Sequence, residues 1–138
     1  MVITKTIKLK SKGETDIIDV TDQVASCVAG AKVKDGVATV FVSGSTAGLT
    51  TIEYESGLVR DLKTAFEIMA PRDGEYHHNF RWQDGNGFSH VRAAMLGPSL
   101  AVPFSNKKMK LGTWQQIVLI DFDNRARSRE LVIQIMGE

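Results

Sequence analysis

Hydrophobic and polar residues alternate along several short segments of the chain, which predicts a protein rich in β-strands. Ile3 to Lys10 alternates with a period of two and therefore predicts a half-buried first strand. Val37 to Ser43 is nearly all β-branched or aromatic, which is typical of a strand buried on both faces or nearly so. The other predicted strands are Thr15 to Val20, Leu49 to Tyr54, Leu100 to Phe104, Gln116 to Phe122 and Glu130 to Met136.

Three segments instead carry apolar residues at helical spacing. The first follows a predicted cap at Thr21-Asp22, the second lies between Ser56-Gly57 and Pro71, and the third spans Phe88 to Leu96. Arg72 to Gly87 has no clean period but contains Asp, Gly, Asn, His and Trp. We therefore expect an ordered irregular loop there, in the kind of segment where functional sites are often built.

The order of these elements predicts one α+β domain over residues 1–138, dominated by antiparallel sheet. Seven or eight strands and three helices are expected, without an internal repeat and without the regular strand-helix alternation of a parallel doubly wound sheet. A length of 138 residues is that of one domain, and a hydrophobic content of 43 % is enough to build a core.

Charge and composition restrict the partners and the compartment. Seventeen Lys and Arg against sixteen Asp and Glu give a formal charge of +1, so no global field recruits nucleic acid or an anionic membrane. No apolar stretch approaches the roughly 18 residues of a membrane span, and the amino terminus lacks the pattern of a secretory signal. The single Cys27 cannot form an internal disulfide, and a chain without disulfides is more typical of a reducing compartment. Together these features predict a soluble, cytoplasmic protein.

All three histidines, His77, His78 and His90, lie within fourteen positions beside the predicted loop. Imidazole is a common metal ligand and a natural general base, so this concentration suggests one role or the other. Adjacent residues of an extended segment point to opposite faces, so at most one of His77 and His78 is expected to join His90. Because no recognised metal spacing is present, surface and capping roles are an equally good interpretation. The carboxylates available as a further ligand are Glu53, Glu55 and Asp61.

Two other segments have the composition of ligand-binding loops. Gly44 to Gly48 consists of small residues whose N–H groups and hydroxyls suit an anion, although a simple tight connection is the commoner outcome. Thr113, Trp114 and Gln115 combine an aromatic face with polar tips, as pocket walls do; the alternative is a turn whose indole packs on the sheet edge. The arginines near the predicted loop that are candidates to pair with phosphate are Arg72, Arg81 and Arg92.

Five short motifs, taken in order, resemble the YjbQ-like family over nearly the whole chain. The most diagnostic is Leu111-Gly112-Thr113-Trp114-Gln115. The others are Ser45-Thr46-Ala47-Gly48-Leu49-Thr50 followed by Glu53, then Tyr76-His77-His78-Asn79, Ser89-His90-Val91 and Leu96-Gly97-Pro98-Ser99, with a closing arginine-rich hairpin. The resemblance implies a compact β-sandwich-like α+β fold that assembles as a homotrimer.

The resemblance also implies an activity. Members are often regarded as secondary thiamine-phosphate synthases, transferases that couple a pyrimidine diphosphate to a thiazole phosphate with loss of diphosphate. By the family pattern His78 and His90 face a polar pocket, where they act as acid and base or bind a divalent metal ion such as zinc or magnesium. Further roles are implied: Glu53 or Asp61 orients the histidines, the Ser45-Thr46 turn holds phosphate, and Thr113, Trp114 and Gln115 line the pocket, with Trp114 against the ring.

Two departures from the family pattern leave the nature of the site open. Gly44 stands where many relatives have a histidine, and Ile52 stands where they have an asparagine. Either a metal is held by His78, His90 and another group, or the site works without a metal, or His77 has taken a role. Two functional hypotheses remain: a trimeric enzyme acting on a phosphorylated heterocycle, and a metabolite- or metal-binding protein whose synthase activity is incidental.

Overall fold

The computed structural model describes residues 1–138 and contains eight strands and four helices. The strands are β1 (Val2–Ser11), β2 (Asp16–Asp19), β3 (Gly36–Val42), β4 (Ala47–Ile52), β5 (Ser99–Ser105), β6 (Lys108–Met109), β7 (Gln116–Asp121) and β8 (Arg127–Gly137). The helices are α1 (Thr21–Gly30), α2 (Ser56–Met69), α3 (His77–Trp82) and α4 (Gly87–Leu96). None of these helices has both the length and the apolar character that crossing a membrane requires.

The strands form two sheets in which every pairing is antiparallel. The larger sheet has the order β1-β8-β3-β5-β6, and the smaller has the order β2-β7-β4. In the larger sheet β1 and β8 pair along their length, from Val2 opposite Met136 to Ser11 opposite Arg127. The prediction of an α+β fold dominated by antiparallel sheet is confirmed, with four helices where three were expected.

The main hydrophobic core lies between the two sheets and α1. Side chains of β3, β5 and β8 meet side chains of β4 and β7, with Val24 and Val28 of α1 completing the cluster. On β8 the inward positions alternate with outward ones, as expected for a sheet with one face in a core. The sandwich-like arrangement therefore follows from period-two patterning on the facing sheets.

A second, smaller core lies on the opposite face of the smaller sheet. Val118 and Ile120 of β7, with Phe122 just beyond it, pack beneath α2 and α4. The rings of Phe66 and Phe122 meet edge to face with centroids 4.8 Å apart, a favourable geometry for two aromatic side chains. The strand that is buried on both faces is therefore β7. The prediction made for Val37 to Ser43 is wrong, since Phe41 of β3 is 41 % exposed on the outer face of the larger sheet.

Two boundaries differ from the sequence-based prediction. The segment predicted to be irregular contains α3, a six-residue helix with no buried residue, so it has no apolar stripe for a periodicity to reveal. The predicted cap of α1 at Thr21-Asp22 is also wrong, because the carboxylate of Asp19 accepts the N–H of Thr21 at 3.0 Å. The Thr21 hydroxyl instead accepts the N–H of Ile117 at 2.9 Å and so joins α1 to β7.

Candidate functional site

A buried ion pair joins the two sheets at one end of the main core. Asp121 and Asp123 follow Leu119 at inward positions, and both carboxylates are completely buried. Arg129 lies on the inward face of β8. Its Nε and Nη2 donate to Oδ2 and Oδ1 of Asp121 at 2.7 and 2.8 Å. This two-pronged contact compensates the desolvation of Asp121, which would otherwise be prohibitive.

Asp123 is held by donors from three other segments. Thr46 donates its hydroxyl at 2.9 Å, Asn86 its Nδ2 at 3.3 Å and Arg127 its Nε at 3.0 Å, all to Oδ2. Burial works to raise the pKa of Asp123, but these hydrogen bonds hold it below its ordinary value. The ionised carboxylate thereby fixes the starts of β4, α4 and β8 relative to one another.

Asn86 also sets the position of the helix that carries His90. Its Oδ1 accepts the N–H of Asn124 at 3.1 Å and the hydroxyl of Ser89. Since α4 begins at the next residue, Gly87, its first turn is anchored to the buried ion-pair network. His90 lies in that turn, and its backbone N–H donates to the carbonyl of Asn86 at 3.3 Å.

His78 of α3 and His90 of α4 form a pair of stacked imidazoles. Their ring centroids are 4.3 Å apart and their planes are tilted by 38°. Nδ1 of His78 is the one fully buried side-chain nitrogen or oxygen that has no hydrogen-bond partner. Oδ1 of Asp84 lies 3.4 Å from it, an ion-pair contact that does not meet the geometry of a hydrogen bond. The structure therefore brings together the two histidines that the sequence singled out, and places His77 outside, exposed and against Phe80.

The environment of His90 disfavours its charged form. Burial lowers the pKa of His90 below its ordinary value of 6.5, and the charge of His78 lowers it further. The carboxylates of Asp84 and Asp123 act in the opposite direction without reversing the shift. At neutral pH the His90 ring is therefore mainly neutral and offers one nitrogen as an acceptor.

His90 lines an open cleft of about 380 Å³ at the start of β4. Gly44, Ser45 and Ala47 form one side of it, and α4 with Pro98 forms the other. Ser45 is exposed at the cleft, whereas the hydroxyl of Thr46 is turned inward, where it donates to Asp123 and accepts from Arg129. Of the two hydroxyls predicted to hold phosphate, that of Ser45 is the one left free for a ligand.

The remaining candidate residues are not gathered at this cleft. In the pairing of β4 with β7, Ala47 lies opposite Asp121 and Ile52 lies opposite Gln116. Five strand steps separate these two ends, a distance of roughly 17 Å. Gln115 belongs to the far end, where its Nε2 donates to Thr51 at 2.9 Å. The residues at or beyond the far end are Glu53, Thr113, Trp114 and Gln115, and Asp61 is exposed on α2.

A second groove, of about 470 Å³, lies beside that far end. It is lined by Tyr54, Glu55 and the first turns of α2, including Arg60 and Lys63. The hydroxyl of Tyr54 donates to the carbonyl of Ile17, and the carboxylate of Glu55 caps α2, so both polar groups already serve the fold. Because this groove contains no imidazole, we place the candidate site at the smaller cleft.

The donors of one chain do not complete a metal site. No group of three or more His, Cys, Asp or Glu side chains is close enough to hold a metal ion, and Glu53 and Asp61 do not join the histidines. Protein zinc sites normally use at least three side-chain ligands, whereas one chain offers two imidazoles here, His90 at the cleft and His78 stacked on it. We therefore derive no step through a metal, and a divalent ion at His78 and His90 stays a prediction.

Two of the three arginines that were candidates for phosphate have other partners, and the third, Arg81, lies over the ring of its neighbour Trp82. Arg72 donates from Nε and Nη2 to both carboxylate oxygens of Glu14 at 2.8 and 2.6 Å. Arg92 is buried and donates to Glu67 at 2.8 Å. The arginine whose guanidinium lies against the cleft residue Gly44 is Arg129, which sequence reasoning missed. The sequence signal that could have identified it is the alternation of side chains along a strand. Arg129 lies two residues before a buried position of β8, so its side chain is on the same, inward face.

Comparison with known proteins matches the chain to one family along almost its whole length. A family model described as "UPF0047 protein YjbQ-like" matches residues 5–138. A UPF0047 protein of Archaeoglobus fulgidus is 35 % identical over 130 residues, covering 94 % of this chain and 98 % of that protein. A UPF0047 protein of Mycobacterium tuberculosis is 42 % identical over 118 residues, covering 83 % and 86 %.

Solved structures share the fold from end to end. A YbjQ-like protein of unknown function from Sulfolobus solfataricus superimposes with a TM-score of 0.90 at 28 % identity, covering 100 % of both chains. An uncharacterised conserved protein of the yjbq/upf0047 family from Clostridium acetobutylicum gives a TM-score of 0.87 at 33 % identity, covering 96 % of this chain and 99 % of that one. These relatives extend the fold assignment to solved structures but carry no stated activity.

The ion pair between the sheets predicts a strongly non-additive mutant cycle. Arg129→Met should lower the free energy of unfolding by about 3–5 kcal/mol, because Asp121 is then buried without its partner. Asp121→Leu should be similarly costly. The double variant should be more stable than either single one, since neither charge is left unpaired. Urea unfolding measures all four proteins, and simply additive losses would contradict the coupling.

The pKa of His90 predicts a defined pH dependence. The unfolded chain takes up a proton near pH 6.5 while folded His90 does not, so its contribution to stability is lost as the pH falls through 6.5 toward the folded pKa. In a His78→Gln variant the pKa of His90 should rise, yet stay below 6.5 because burial remains. NMR titration of the imidazole C–H signals measures both values. A wild-type pKa at or above 6.5 would rule out this environment for His90.

Proposed function

The chain belongs to the YjbQ-like UPF0047 family, and from that premise we propose that it is a small cytoplasmic transferase acting on a phosphorylated heterocycle with release of diphosphate, as a thiamine-phosphate synthase does. The observation that carries the proposal is the stacked pair of His78 and His90, in which His90 lines the cleft and Nδ1 of His78 is buried without a partner. Buried polar groups are nearly always satisfied in folded proteins, and exceptions concentrate where a ligand completes them.

The reaction class determines what the cleft must supply. The ring nitrogen of a thiazole phosphate attacks the methylene carbon that bears the diphosphate of the pyrimidine. The carbon–nitrogen bond forms as the carbon–oxygen bond breaks, and diphosphate leaves with the electron pair. The attacking nitrogen carries no proton, so the ring becomes a cation and no base is needed for it. The site must therefore stabilise negative charge that develops on the leaving group.

The cleft residues meet that requirement in distinct ways. A diphosphate beside His90 opposes the effect of burial and favours the imidazolium, which then donates a hydrogen bond to the leaving oxygen. Asp84, 3.4 Å from Nδ1 of His78, is placed to stabilise positive charge on that ring. Ser45 donates its exposed hydroxyl to a phosphate oxygen. The apolar side chains of Ala93 and Pro98 leave room for the heterocycle.

A homotrimer is part of this proposal. Trp114 is 70 % exposed and lies beyond the far end of β4, so it contacts a ring in the cleft only if a neighbouring copy brings it there. The same holds for the other residues of that end, Glu53, Thr113 and Gln115. Tryptophan is among the residue types enriched at protein–protein interfaces.

Subunit number is directly measurable. Native mass spectrometry of tag-free protein is expected to give three chains per particle. A monomer at micromolar concentration would remove Trp114 and its neighbours from any role at the cleft, and leave the two histidines with Ser45 as the whole site.

A second function is favoured by the separation of the candidate residues. In one chain no carboxylate completes the imidazole pair as a metal site, so the cleft suits binding of an anionic metabolite without turnover. Kinetics separate the two functions. An enzyme on its own substrate should reach a kcat/KM of order 10⁴ M⁻¹s⁻¹ or more, whereas an incidental activity should lie orders of magnitude lower.

The test is steady-state turnover of a pyrimidine diphosphate with a thiazole phosphate. His78→Ala and His90→Ala should each lower kcat by about 10²–10⁴, the usual contribution of a positioned acid or base. His77→Ala is the matched control, since this neighbouring histidine is exposed and packs against Phe80, and its kcat should match the wild type. Unchanged kcat in both His78 and His90 variants, or full loss in the His77 variant, would contradict the proposed roles.

A further inference from the structure

The guanidinium of Arg129 has donors that the fold does not use. An arginine side chain offers five N–H donors. Nε donates to Asp121, and Nη2 donates both to Asp121 and to Thr46, at 2.7, 2.8 and 2.5 Å. The two N–H groups of Nη1 have no partner within the chain. Nδ1 of His78 is the only fully buried side-chain nitrogen or oxygen that lacks a hydrogen-bond partner. Because Nη1 of Arg129 also lacks a partner, it is not fully buried and reaches solvent, although the Arg129 side chain is only 8 % exposed.

The free end of this guanidinium lies against Gly44. A Cβ on Gly44 would stand 2.6 Å from Nη1 and 3.6 Å from Cζ of Arg129, so Nη1 occupies the space that a side chain at this position would take. Gly44 lines the cleft together with Ser45 and His90. Nη1 therefore lies directly beside a residue that lines the cleft, in the space that a side chain at position 44 would fill.

We infer that Nη1 of Arg129 is an anion-binding donor of the cleft and that it binds a phosphoryl group, with Gly44 as the residue that keeps it accessible. The inference rests on the proposed function, from which it takes the phosphorylated substrate. It adds the protein group that holds the phosphate. Asp121 is a positioning residue in this arrangement, because it binds one edge of the guanidinium and leaves the other edge to the ligand.

The distribution of donors favours a phosphoryl group over a carboxylate. The hydroxyl of Ser45 and the ring of His90 line the cleft, and Nη1 of Arg129 lies behind Gly44 at its edge. These donors come from three separate segments: the turn before β4, α4 and β8. A tetrahedral phosphoryl group presents three oxygens in different directions, whereas a carboxylate presents two in one plane. Since the charge of Arg129 is balanced by Asp121, its contribution is a pair of fixed N–H donors and not an excess of charge.

The test uses Gly44→Ala, because substitution of Arg129 itself would also break the buried ion pair. The added Cβ must displace Nη1, the far end of a flexible side chain, and Gly44 is not among the glycines with positive φ, so the backbone accepts alanine. Gly30→Ala is the matched control, since a Cβ there meets nothing within 4 Å. The probe is inorganic diphosphate, titrated calorimetrically into each protein, with malonate as the carboxylate comparison.

Gly44→Ala should weaken the affinity for diphosphate by about ten- to a hundredfold, the loss expected for a hydrogen bond between charged partners, and Gly30→Ala should bind like the wild type. Malonate should bind more weakly than diphosphate to the wild type. Equal diphosphate affinity in the Gly44→Ala and wild-type proteins, no binding by the wild type at millimolar concentration, or equal affinity for malonate would each overturn the inference.

This design distinguishes a failure of the inference from a failure of the proposed function. Diphosphate binding that depends on Gly44, without turnover of any phosphorylated heterocycle, would keep the phosphoryl site and overturn the enzyme. Turnover that depends on His78 and His90, with an unchanged diphosphate affinity in Gly44→Ala, would keep the enzyme and overturn the role of Arg129.

Discussion

The structure depends on one constraint: two buried carboxylates, that of Asp121 on the inward face of β7 and that of Asp123 two residues beyond the end of the strand, must be compensated by hydrogen-bond donors. Asp121 and Asp123 are completely buried because they continue the alternation of β7, and neither can reach water. Moving an unpaired carboxylate out of water costs several kcal/mol even after the protein relaxes. The bidentate contact from Arg129 meets that cost for Asp121, while Asp123 takes its hydrogen bonds from β4, α4 and β8. The closing strand of one sheet is thereby tied to the central strand of the other.

The same network places the candidate site. Thr46 of the turn before β4 and Asn86 at the start of α4 both donate to Asp123, so the two walls of the cleft are fixed by one buried carboxylate. His90 follows Asn86 by four residues, and His78 stacks on it from α3. Fold and site are therefore built from one set of polar contacts, with one edge of the Arg129 guanidinium bound to Asp121 and the other against Gly44, which lines the cleft.

Most of the fold could be predicted because period-two patterning is a direct consequence of a sheet with one buried face. The predictions failed where that relation does not hold. A β-branched composition indicated burial on both faces for β3, but which strand is covered twice depends on where helices pack, and they pack over β7. The short helix α3 has no buried residue, so nothing in its pattern distinguishes it from a loop.

The sequence indicates that histidines belong to the candidate site, but it does not indicate which other residues lie beside them. Closeness in sequence predicts that at most one of His77 and His78 joins His90, and the resemblance to the family singles out His78. The order of residues along the chain does not tell at which end of β4 a side chain lies. The expectation that Trp114 and Gln115 share a pocket with Ser45 therefore fails within one chain. Ser45 precedes the start of β4, whereas Trp114 and Gln115 lie at its other end. Arg129 was missed because a charged residue near a turn is usually solvated, and only its parity on β8 reveals that it points inward.

We propose that an anionic ligand binds in the cleft at the start of β4, and not in the groove beside α2. Backbone amide shifts, mapped by NMR during titration with inorganic diphosphate, distinguish the two places. We expect the largest shifts on Gly44 to Ala47 and on Asn86 to His90, the segments that form or position the cleft. Shifts concentrated on Tyr54 to Lys63 and on Gly112 to Gln115 would contradict it and would move the site to the opposite end of the strand.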